Sequence, residues 1–351
     1  MVSLLRSIIN HNRLLESRQK RRLKRFLCSA IIVFMVAVAV FGHLYLNNAS
    51  FSSGKDNRKI LRIATQTYPL YASINLAHEL GFIDEELEAV GYHAQWTDYL
   101  SGPLVNEAVA AGEADVGHMA DMPAINARSA GLPIQVVAGV ASGEKSLAIL
   151  VGKDSDINDI RQLRDKKIAY ATGSYAQHLL ALVLDEAGLT FSDIQSVNLG
   201  AADSTSALEA GEVDAIVIWE QYITKMTEEG TARVLIDGTG LKRSNMVLYT
   251  VTDYGTENPQ AIVAFIKGMA RGASYIKEQP REAARILAPL YGVSEDMMVK
   301  ILRHFNFSPV LSQEDVDEIL REANYARESG IIRNPVGIEL IDSVYLRQAG
   351  Y

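Results

Sequence analysis

The sequence predicts an α/β fold of two similar lobes with a helical C-terminal portion, preceded by an N-terminal membrane helix. Three observations support this fold class. Short apolar strands alternate with helices from residue 61 to residue 236. The pattern A-x-x-A-G-E-x-D occurs at residues 108–115 and again at 207–214. The last third of the chain is mostly helical in pattern. Alternating βα units with continuous apolar strands are typical of parallel sheets covered by helices on both faces.

The elements of the first predicted lobe follow one another at short intervals. Strands are predicted at 61–65, 92–96, 115–118 and 134–141, and helices at 73–80, 103–111 and 123–130. Gly81, Gly112 and Gly131 mark the ends of the three helices, as glycine commonly does at a helix C-terminus.

The second lobe repeats this rhythm, and the C-terminal third departs from it. Strands are predicted at 167–171, 195–199, 214–219 and 233–236, with helices at 175–187 and 204–210. A strand at 246–252 is then followed by helices at 259–278, 280–291, 294–305, 312–329 and 337–346. We expect these C-terminal helices to pack onto a lobe that is already built. The repeated eight-residue pattern favours two related lobes, although such common residues also recur at unrelated helix ends.

The first 58 residues are predicted to lie outside this fold. Residues 1–25 form a basic cytoplasmic segment, in which six of the eight residues from 18 to 25 are Lys or Arg. Residues 26–46 contain no Asp, Glu, Lys or Arg, and at ~1.5 Å per residue a helix of this length matches a bilayer core. Basic flanks stay in the cytoplasm, so the rest of the chain is expected outside it. An uncleaved anchor and a cleaved signal sequence both remain open. The polar stretch 47–58 is predicted to be a linker.

Composition and charge exclude several classes of protein. The chain has 351 residues, of which 48% are hydrophobic and 22% charged, which is ordinary for a globular protein. Its formal net charge is −8, and since residues 1–46 contribute +7, the remainder carries −15. Such an acidic body argues against nucleic-acid binding. The one cysteine, Cys28, lies in the apolar segment and allows neither an internal disulfide nor a thiolate zinc site.

No motif indicates an enzyme, a metal site or a bound cofactor. The seven histidines show no H-x-H or H-E-x-x-H spacing. The sequence also lacks G-x-S-x-G, a Walker A loop and G-x-G-x-x-G. We therefore predict no catalytic residue, no metal ligand and no cofactor.

Four strand-to-helix turns are the predicted ligand site. They carry Ser101, Gly102, Asp121, Met122, Gly173, Ser174, Tyr175 and Asp203. Such turns lie at the carboxyl ends of strands, where ligands bind in open α/β sheets. Helix N-termini also offer unpaired N–H groups and a partial positive charge. Each turn alone is equally consistent with ordinary N-capping. Convergence of turns from both lobes would favour a ligand site.

Four further residues are predicted to face the same cleft. Gln66 and Tyr68 follow the first strand, and Trp219 and Glu220 end the strand at 214–219. Trp219 would wall the cleft, and Glu220, like Asp121, would pair with a ligand ammonium group. The alternative for Trp219 is a half-buried structural side chain. The alternative for Glu220 and Asp121 is an acidic residue stabilised at a helix N-terminus by the helix dipole.

From about residue 60 to 320 the chain resembles the periplasmic substrate-binding proteins of ABC importers, in the sulfonate, taurine and nitrate group. Four stretches carry the resemblance. In the first half they are Leu61-Arg62-Ile63 with Gln66 and Pro69, and A-G-E-A-D-V-G at 111–117 followed by Asp121-Met122-Pro123. In the second half they are I-R-Q-L-R-D-K-K-I-A at 160–169 with Gly173-Ser174, and A-G-E-V-D-A at 210–215 followed by Trp219-Glu220. The order and spacing of these stretches together are specific.

This resemblance implies a periplasmic-binding-protein type II fold, with lobe one at 59–144 plus 241–351 and lobe two at 145–240. The lobes would close on a hinge around a small organic anion or zwitterion, such as a sulfonate or taurine. The implied partners are an ABC permease and its ATPase. The implied location is the periplasm or the outer face of the cytoplasmic membrane, where residues 26–46 would anchor the chain if they are retained.

Two other functions remain open at this stage. A membrane-tethered ligand sensor would use the same fold with a signalling partner. A thiamine-pyrimidine synthase-like enzyme shares the fold, but such enzymes carry a Cys-rich motif, and this chain contains only Cys28.

Overall fold

Two β-sheets with helices packed on them make up residues 58–351, which is the part of the chain that the computed structural model describes. The predictions for residues 1–57, including the membrane helix at 26–46, lie outside this part. Among the helices within 58–351, none is long and apolar enough to cross a membrane.

The first sheet has six strands in the order β2-β1-β3-β10-β4-β11. They are β1 (Lys59–Thr65), β2 (Tyr92–Asp98), β3 (Val116–Ala120), β4 (Ile134–Gly143), β10 (Ser244–Val251) and β11 (Asn306–Phe307). We call this sheet and its helices lobe one. The helices are α1 (Ala72–Glu79), α2 (Phe82–Ala89), α3 (Gly102–Ala110), α4 (Asp121–Ser129), α8 (Thr252–Glu257), α9 (Pro259–Glu278), α10 (Pro280–Tyr291), α11 (Glu295–Leu302), α12 (Gln313–Glu328) and α13 (Val344–Ala349).

The second sheet has five strands in the order β7-β6-β8-β5-β9. They are β5 (Leu147–Gly152), β6 (Lys167–Tyr170), β7 (Gln195–Asn198), β8 (Ala215–Trp219) and β9 (Ala232–Asp237). Its helices are α5 (Tyr175–Glu186), α6 (Ala201–Glu209) and α7 (Tyr222–Glu229), and together these elements are lobe two. The strands of each sheet fall within the limits predicted for the two lobes. That the lobes move as separate bodies stays a prediction.

Both sheets are mixed, so the expectation of parallel-type sheets was wrong for β5, for β10 and for the two-residue strand β11, which is antiparallel to β4. β1 pairs in parallel with β2 and β3, and β6 pairs in parallel with β7 and β8. However, β10 is antiparallel to β3 and β4, and β5 is antiparallel to β8 and β9. Both β5 and β10 enter their sheet directly from the other lobe, without the crossover helix that parallel pairing of consecutive strands requires.

The repeated eight-residue pattern takes the same local structure in both lobes. Gly112 and Gly211 end α3 and α6 with φ angles of 72° and 70°, a left-handed conformation that favours glycine. Three residues later, the Asp115 carboxylate accepts the backbone N–H of Arg62 at 2.9 Å, and the Asp214 carboxylate accepts that of Lys167 at 2.8 Å. Each aspartate thus holds the neighbouring parallel strand, Asp115 at the middle of β1 and Asp214 at the first residue of β6.

The structure also shows elements that the sequence prediction did not include or placed wrongly. α2, β5 and α7 were not predicted, whereas α9 and α10 have the predicted bounds. The helix predicted at 337–346 was wrong. A short 3₁₀ helix (Ile338–Leu340) is followed by a bridge between Ile341 and Val136, and α13 begins only at Val344. The backbone of 341–342 hydrogen-bonds to β4 instead of continuing a helix, since the Asp342 N–H donates to the Val136 carbonyl at 2.8 Å.

One large cluster of buried apolar side chains runs through both lobes. It includes Leu61 and Ile63 of β1 in lobe one and Ile149 and Leu179 in lobe two, all inaccessible to solvent or nearly so. The two sheets are therefore joined by a shared core as well as by the two chain crossings.

Candidate functional site

A cavity of about 420 Å³ lies between the two lobes. It is formed where strands from both sheets end, since Gln66 follows β1, Ala120 ends β3, Ala171 follows β6 and Trp219 ends β8. This is the edge at which open α/β sheets bind ligands.

Nine of the twelve predicted site residues line this cavity. They are Gln66, Tyr68, Ser101, Gly102, Gly173, Ser174, Tyr175, Asp203 and Trp219. The turns of α3, α5 and α6 therefore converge from both lobes, as the site prediction requires. That these residues contact a ligand stays a prediction.

Three predicted residues, Asp121, Met122 and Glu220, do not line the cavity. Met122 and Glu220 are inaccessible to solvent, and Asp121 is 1% exposed. Both carboxylates already have partners far away in the sequence, since Asp121 pairs with Lys242 and Glu220 hydrogen-bonds to His304. Their predicted role as partners of a ligand ammonium group is therefore not supported by their position.

The cavity end of lobe one is the N-terminus of α3. Ser101 is extended and precedes Gly102, and Pro103 occupies the first turn, where its missing N–H is not needed. A side chain at position 102 would meet the Cβ of Pro123 at 2.9 Å, so only glycine lets α3 approach α4 this closely. The packing of the two helices thus leaves bare backbone at this wall of the cavity.

The cavity end of lobe two is the N-terminus of α5. Ser174 caps the helix, since its hydroxyl oxygen accepts the Ala176 N–H at 3.2 Å. Gly173 has a φ angle of 75° and places backbone without a side chain at the cavity. The side chain of Asn126 on α4 donates to the Gly173 carbonyl at 3.3 Å, so this turn also contacts lobe one.

Aromatic side chains form the apolar walls. Tyr68, Tyr71, Tyr175, Trp219 and Tyr222 line the cavity. The rings of Tyr175 and Trp219 lie 5.6 Å apart. The hydroxyl of Tyr175 is buried and has no hydrogen-bond partner within residues 58–351. Burial, together with nearby acidic groups, holds the pKa of Tyr175 above its usual range, so this hydroxyl stays protonated.

Sequence reasoning missed Tyr71 and Tyr222. Tyr71 sits in a 3₁₀ turn after Pro69, where the Gln66 side chain donates to its hydroxyl at 3.4 Å and to the His118 carbonyl at 2.7 Å. Tyr222 opens α7, three residues after Trp219. Both lie close in sequence to predicted site residues, and that proximity was the available signal.

The electrostatics of the cavity are unusual for an anion site. Among the described residues that line it there is no Lys, Arg or His, and Asp203 is the one acidic side chain. Asp203 is exposed in the first turn of α6, where a carboxylate is favoured by the helix dipole. An anion here would therefore be held by neutral backbone N–H groups.

Asp121 belongs to a buried charged cluster just behind the cavity wall. The ammonium group of Lys242, inaccessible to solvent, lies 3.5 Å from Asp121, 3.0 Å from Glu318 and 3.2 Å from Glu322. Burial and the charge of Glu322 raise the pKa of Asp121, whereas burial alone would lower that of Lys242. The three carboxyl groups outweigh that effect, so the pKa of Lys242 is raised and the lysine is charged.

The cluster reaches across to lobe two through His178 on α5. His178 Nδ1 lies 3.3 Å from Glu322, and its ring stacks on Tyr325 of α12 with centroids 4.4 Å apart. Burial and the nearby Lys242 charge lower the pKa of His178 to about 3, so the ring is neutral. Within residues 58–351, no group of three or more His, Cys, Asp or Glu side chains is arranged to hold a metal ion.

A two-lobed α/β fold with a cavity at the carboxyl ends of strands from both sheets is the architecture of the periplasmic binding proteins. The chain belongs to the NMT1/THI5-like family, whose profile matches residues 73–283. It is similar to the putative aliphatic sulfonates-binding proteins of Bacillus subtilis (strain 168) and Escherichia coli (strain K12). The first is 27% identical over 319 residues, covering 90% of this chain and 96% of the relative. The second is 31% identical over 209 residues, covering 60% and 66%.

A solved structure agrees with these relatives. The periplasmic aliphatic sulphonate binding protein SsuA from Escherichia coli superimposes with a TM-score of 0.71 at 28% identity, covering 80% of this chain and 91% of SsuA. The resemblance predicted from the sequence is confirmed.

Proposed function

We propose that this chain is the extracytoplasmic solute-binding component of an ABC importer and that it binds an organosulfonate between its lobes. The proposed ligand class rests on one observation. The N-termini of α3, α5 and α6 converge from both lobes on a cavity whose described lining has no cationic side chain. Helix N-termini bind anions through unpaired N–H groups and the helix dipole.

The geometry supports a division of the ligand into two parts. The sulfonate oxygens would accept N–H groups in the first turns of α3 and α5, such as that of Tyr175. The N–H groups of Thr172, Gly173 and Ser174 already donate to Asn198, Gln177 and Ala171. The organic part would pack on Tyr68, Tyr175 and Trp219, which supply apolar surface. The names of the relatives support the same ligand class, since they are called aliphatic sulfonate-binding proteins.

A zwitterionic ligand such as taurine would use Asp203 for its ammonium group. Asp121 and Glu220 are held away from the cavity by Lys242 and His304, and Asp203 is the carboxylate that faces it. Binding without chemical conversion is supported by the relatives, which are named as binding proteins. Delivery to a permease and its ATPase, and anchoring by residues 26–46, complete the proposal.

Isothermal titration of the full-length chain tests the ligand class. Ethanesulfonate, taurine, nitrate and a thiamine-type pyrimidine would each be added to the chain after unfolding and refolding to remove co-purified ligand. We expect saturable binding of the sulfonates and none of the pyrimidine. Pyrimidine binding without sulfonate binding would contradict the proposal.

The variant Asp203→Asn separates taurine from a simple alkanesulfonate. We expect it to weaken taurine about tenfold, because an ammonium–carboxylate hydrogen bond is lost, and to leave ethanesulfonate within about twofold. Equal losses for both ligands would contradict a role for Asp203 in recognising the ammonium group.

A further inference from the structure

Glu220 and His304 form a contact between the lobes directly behind the cavity wall. Glu220 follows Trp219 in lobe two, and His304 follows α11 in lobe one. The His304 Nδ1 atom lies 2.5 Å from Glu220 Oε1, and the Glu220 side chain is inaccessible to solvent. A residue that lines the cavity is thus the chain neighbour of a buried inter-lobe pair.

The Glu220 carboxylate is fixed to lobe two. It accepts the Thr224 backbone N–H at 3.2 Å and the Thr224 hydroxyl at 2.8 Å. Its own backbone N–H donates to the Ser146 carbonyl at 3.0 Å, beside β5. The carboxylate therefore moves with the N-terminus of α7 and with Trp219 when lobe two moves.

His304 is fixed to lobe one and lies against a crossing between the lobes. Its backbone N–H donates to the Ile301 carbonyl at 3.0 Å, and two residues later Asn306 pairs with Ser142 of β4. Any side chain at Gly143, where the first crossing begins, would collide with the His304 carbonyl oxygen. The histidine thus lies beside the first crossing, on the lobe-one side of the contact with Glu220.

The surroundings of the pair are charged on the lobe-one side. His304 lies in a shallow hollow whose lining includes four charged residues, Glu144, Lys145, Arg243 and Arg303. An ion pair also joins the two lobes nearby, between Lys300 of α11 and Glu228 of α7, but both of its side chains are about half exposed. Of these two contacts, the Glu220–His304 pair is the one that adjoins the cavity wall.

We propose that Glu220 and His304 act as a latch that forms when the lobes close and keeps Trp219 against the bound ligand. The latch rests on the proposed solute-binding function and adds to it a control over ligand release. Opening the lobes separates the two side chains and leaves a buried carboxylate without its partner, which is costly. Both residues are positioning residues, because they act through Trp219 and lobe closure without lining the cavity.

Ligand dissociation rates test the latch. Ethanesulfonate release would be followed by stopped flow for the full-length chain and for Glu220→Gln, His304→Gln and the double variant. We expect each single variant to speed release about tenfold, with the association rate nearly unchanged. The double variant should release ligand no faster than either single variant, since both remove one interaction. Single variants that differ from the parent by less than twofold, or additive effects, would overturn the latch.

Glu228→Gln is the matched control, because it breaks a nearby inter-lobe pair that lies away from the cavity. An exposed ion pair contributes little, so release should change less than twofold. An effect equal to that of Glu220→Gln would show that any inter-lobe pair suffices and would overturn the assignment.

A ligand-free readout separates failure of the latch from failure of the proposed function. Replacing Cys28 with serine allows spin labels at Glu107→Cys on α3 and Glu209→Cys on α6, both exposed and in different lobes. We expect the inter-label distance to shift to longer values in the Glu220→Gln and His304→Gln double variant. An unchanged distance distribution would overturn the latch even if sulfonates bind, and a shift without sulfonate binding would contradict only the proposed ligand.

Discussion

Lobe one and lobe two are built on the same frame but differ in what stands behind the cavity. The two sheets match strand for strand, in position and direction: β2-β1-β3-β10-β4 of lobe one corresponds to β7-β6-β8-β5-β9 of lobe two. In each, an aspartate three residues after a left-handed glycine fixes the neighbouring strand. The shared frame brings the N-termini of α3, α5 and α6 to one edge.

The difference lies in the C-terminal helices that pack on lobe one. α12 brings Glu318 and Glu322 to Lys242, which lies in the second crossing, and so draws Asp121 into a buried cluster. Lobe two has no such addition among its described elements, and at the equivalent turn, after β8, Glu220 contacts His304 instead. The comparison teaches that acidic side chains at equivalent turns take different partners.

Removing Lys242 should have the largest effect on stability. Lys242→Met leaves the buried carboxyl groups of Asp121 and Glu322 without their cation, while Glu318 keeps Arg321, and we expect a loss of about 3–5 kcal/mol in the free energy of unfolding. Lys300→Met, which removes an exposed pair, should cost less than about 1 kcal/mol. Urea unfolding of both variants checks this. Similar losses of unfolding free energy for the two variants would mean that the buried cluster around Lys242 does not stabilise lobe one more than an exposed ion pair does.

Acidification should destabilise both lobes, because each contains a buried neutral histidine. Burial lowers the pKa of His118 in lobe one to about 3, and burial with the Lys242 charge does the same for His178 in lobe two. Below the unfolded pKa of about 6.5 the unfolded chain binds protons that the folded chain does not, so stability falls as pH falls. From pH 7.5 to 5 the loss should be about 2 kcal/mol per histidine.

Urea unfolding at the two pH values measures that loss, and His118→Gln should remove roughly half of it. An equal loss in His118→Gln and in the parent chain would contradict the neutral assignment of His118.

The two equivalent aspartates should differ moderately. Asp115→Ala removes a strand contact and an ion pair with Arg62, while Asp214→Ala removes the hydrogen bond to the Lys167 N–H. We expect losses of about 2–3 and about 1 kcal/mol, in that order. Thermal unfolding of both variants tests this. Equal losses would show that the Arg62 pair adds nothing to the shared frame.

Two glycines with equal expected losses of stability distinguish a ligand-contacting glycine from a structural one. Gly173 and Gly211 have φ angles of 75° and 70°, and a Cβ at either would meet no atom within 4 Å. Alanine should cost each about 1–2 kcal/mol of stability. Only Gly173→Ala should weaken sulfonate binding, by about tenfold, because its methyl group enters the cavity. Equal affinities of the two variants would argue against close approach of the ligand at Gly173.

The sequence predicted the frame well because its signals are local. Gly81, Gly112 and Gly211 mark helix ends through backbone conformation, and the turns at 101–102 and 173–175 follow directly from the strands before them. The bounds of α9 and α10 follow from prolines at their first residues. Each of these signals lies within a few residues of the feature that it predicts.

The partners of Asp121 and Glu220 could not be predicted in the same way. Lys242 and Glu318 lie more than a hundred residues from Asp121 in the sequence, and His304 lies 84 residues from Glu220. Which way a first-turn carboxylate turns depends on these distant groups. Similarly, the bridge from Ile341 to Val136 replaced a predicted helix because a tertiary hydrogen bond outweighed local propensity.

The fluorescence of Trp219 tests most directly whether the cavity between the lobes is the sulfonate site. The chain has two tryptophans, and Trp96 packs on Phe265 and His78 in lobe one, away from the cavity lining. In Trp96→Phe, ethanesulfonate should change the remaining emission saturably, with the affinity measured by calorimetry, and Trp219→Phe should show no such change. The site would be contradicted if calorimetry showed that ethanesulfonate binds, the emission of Trp219 did not change, and Trp219→Phe bound with unchanged affinity.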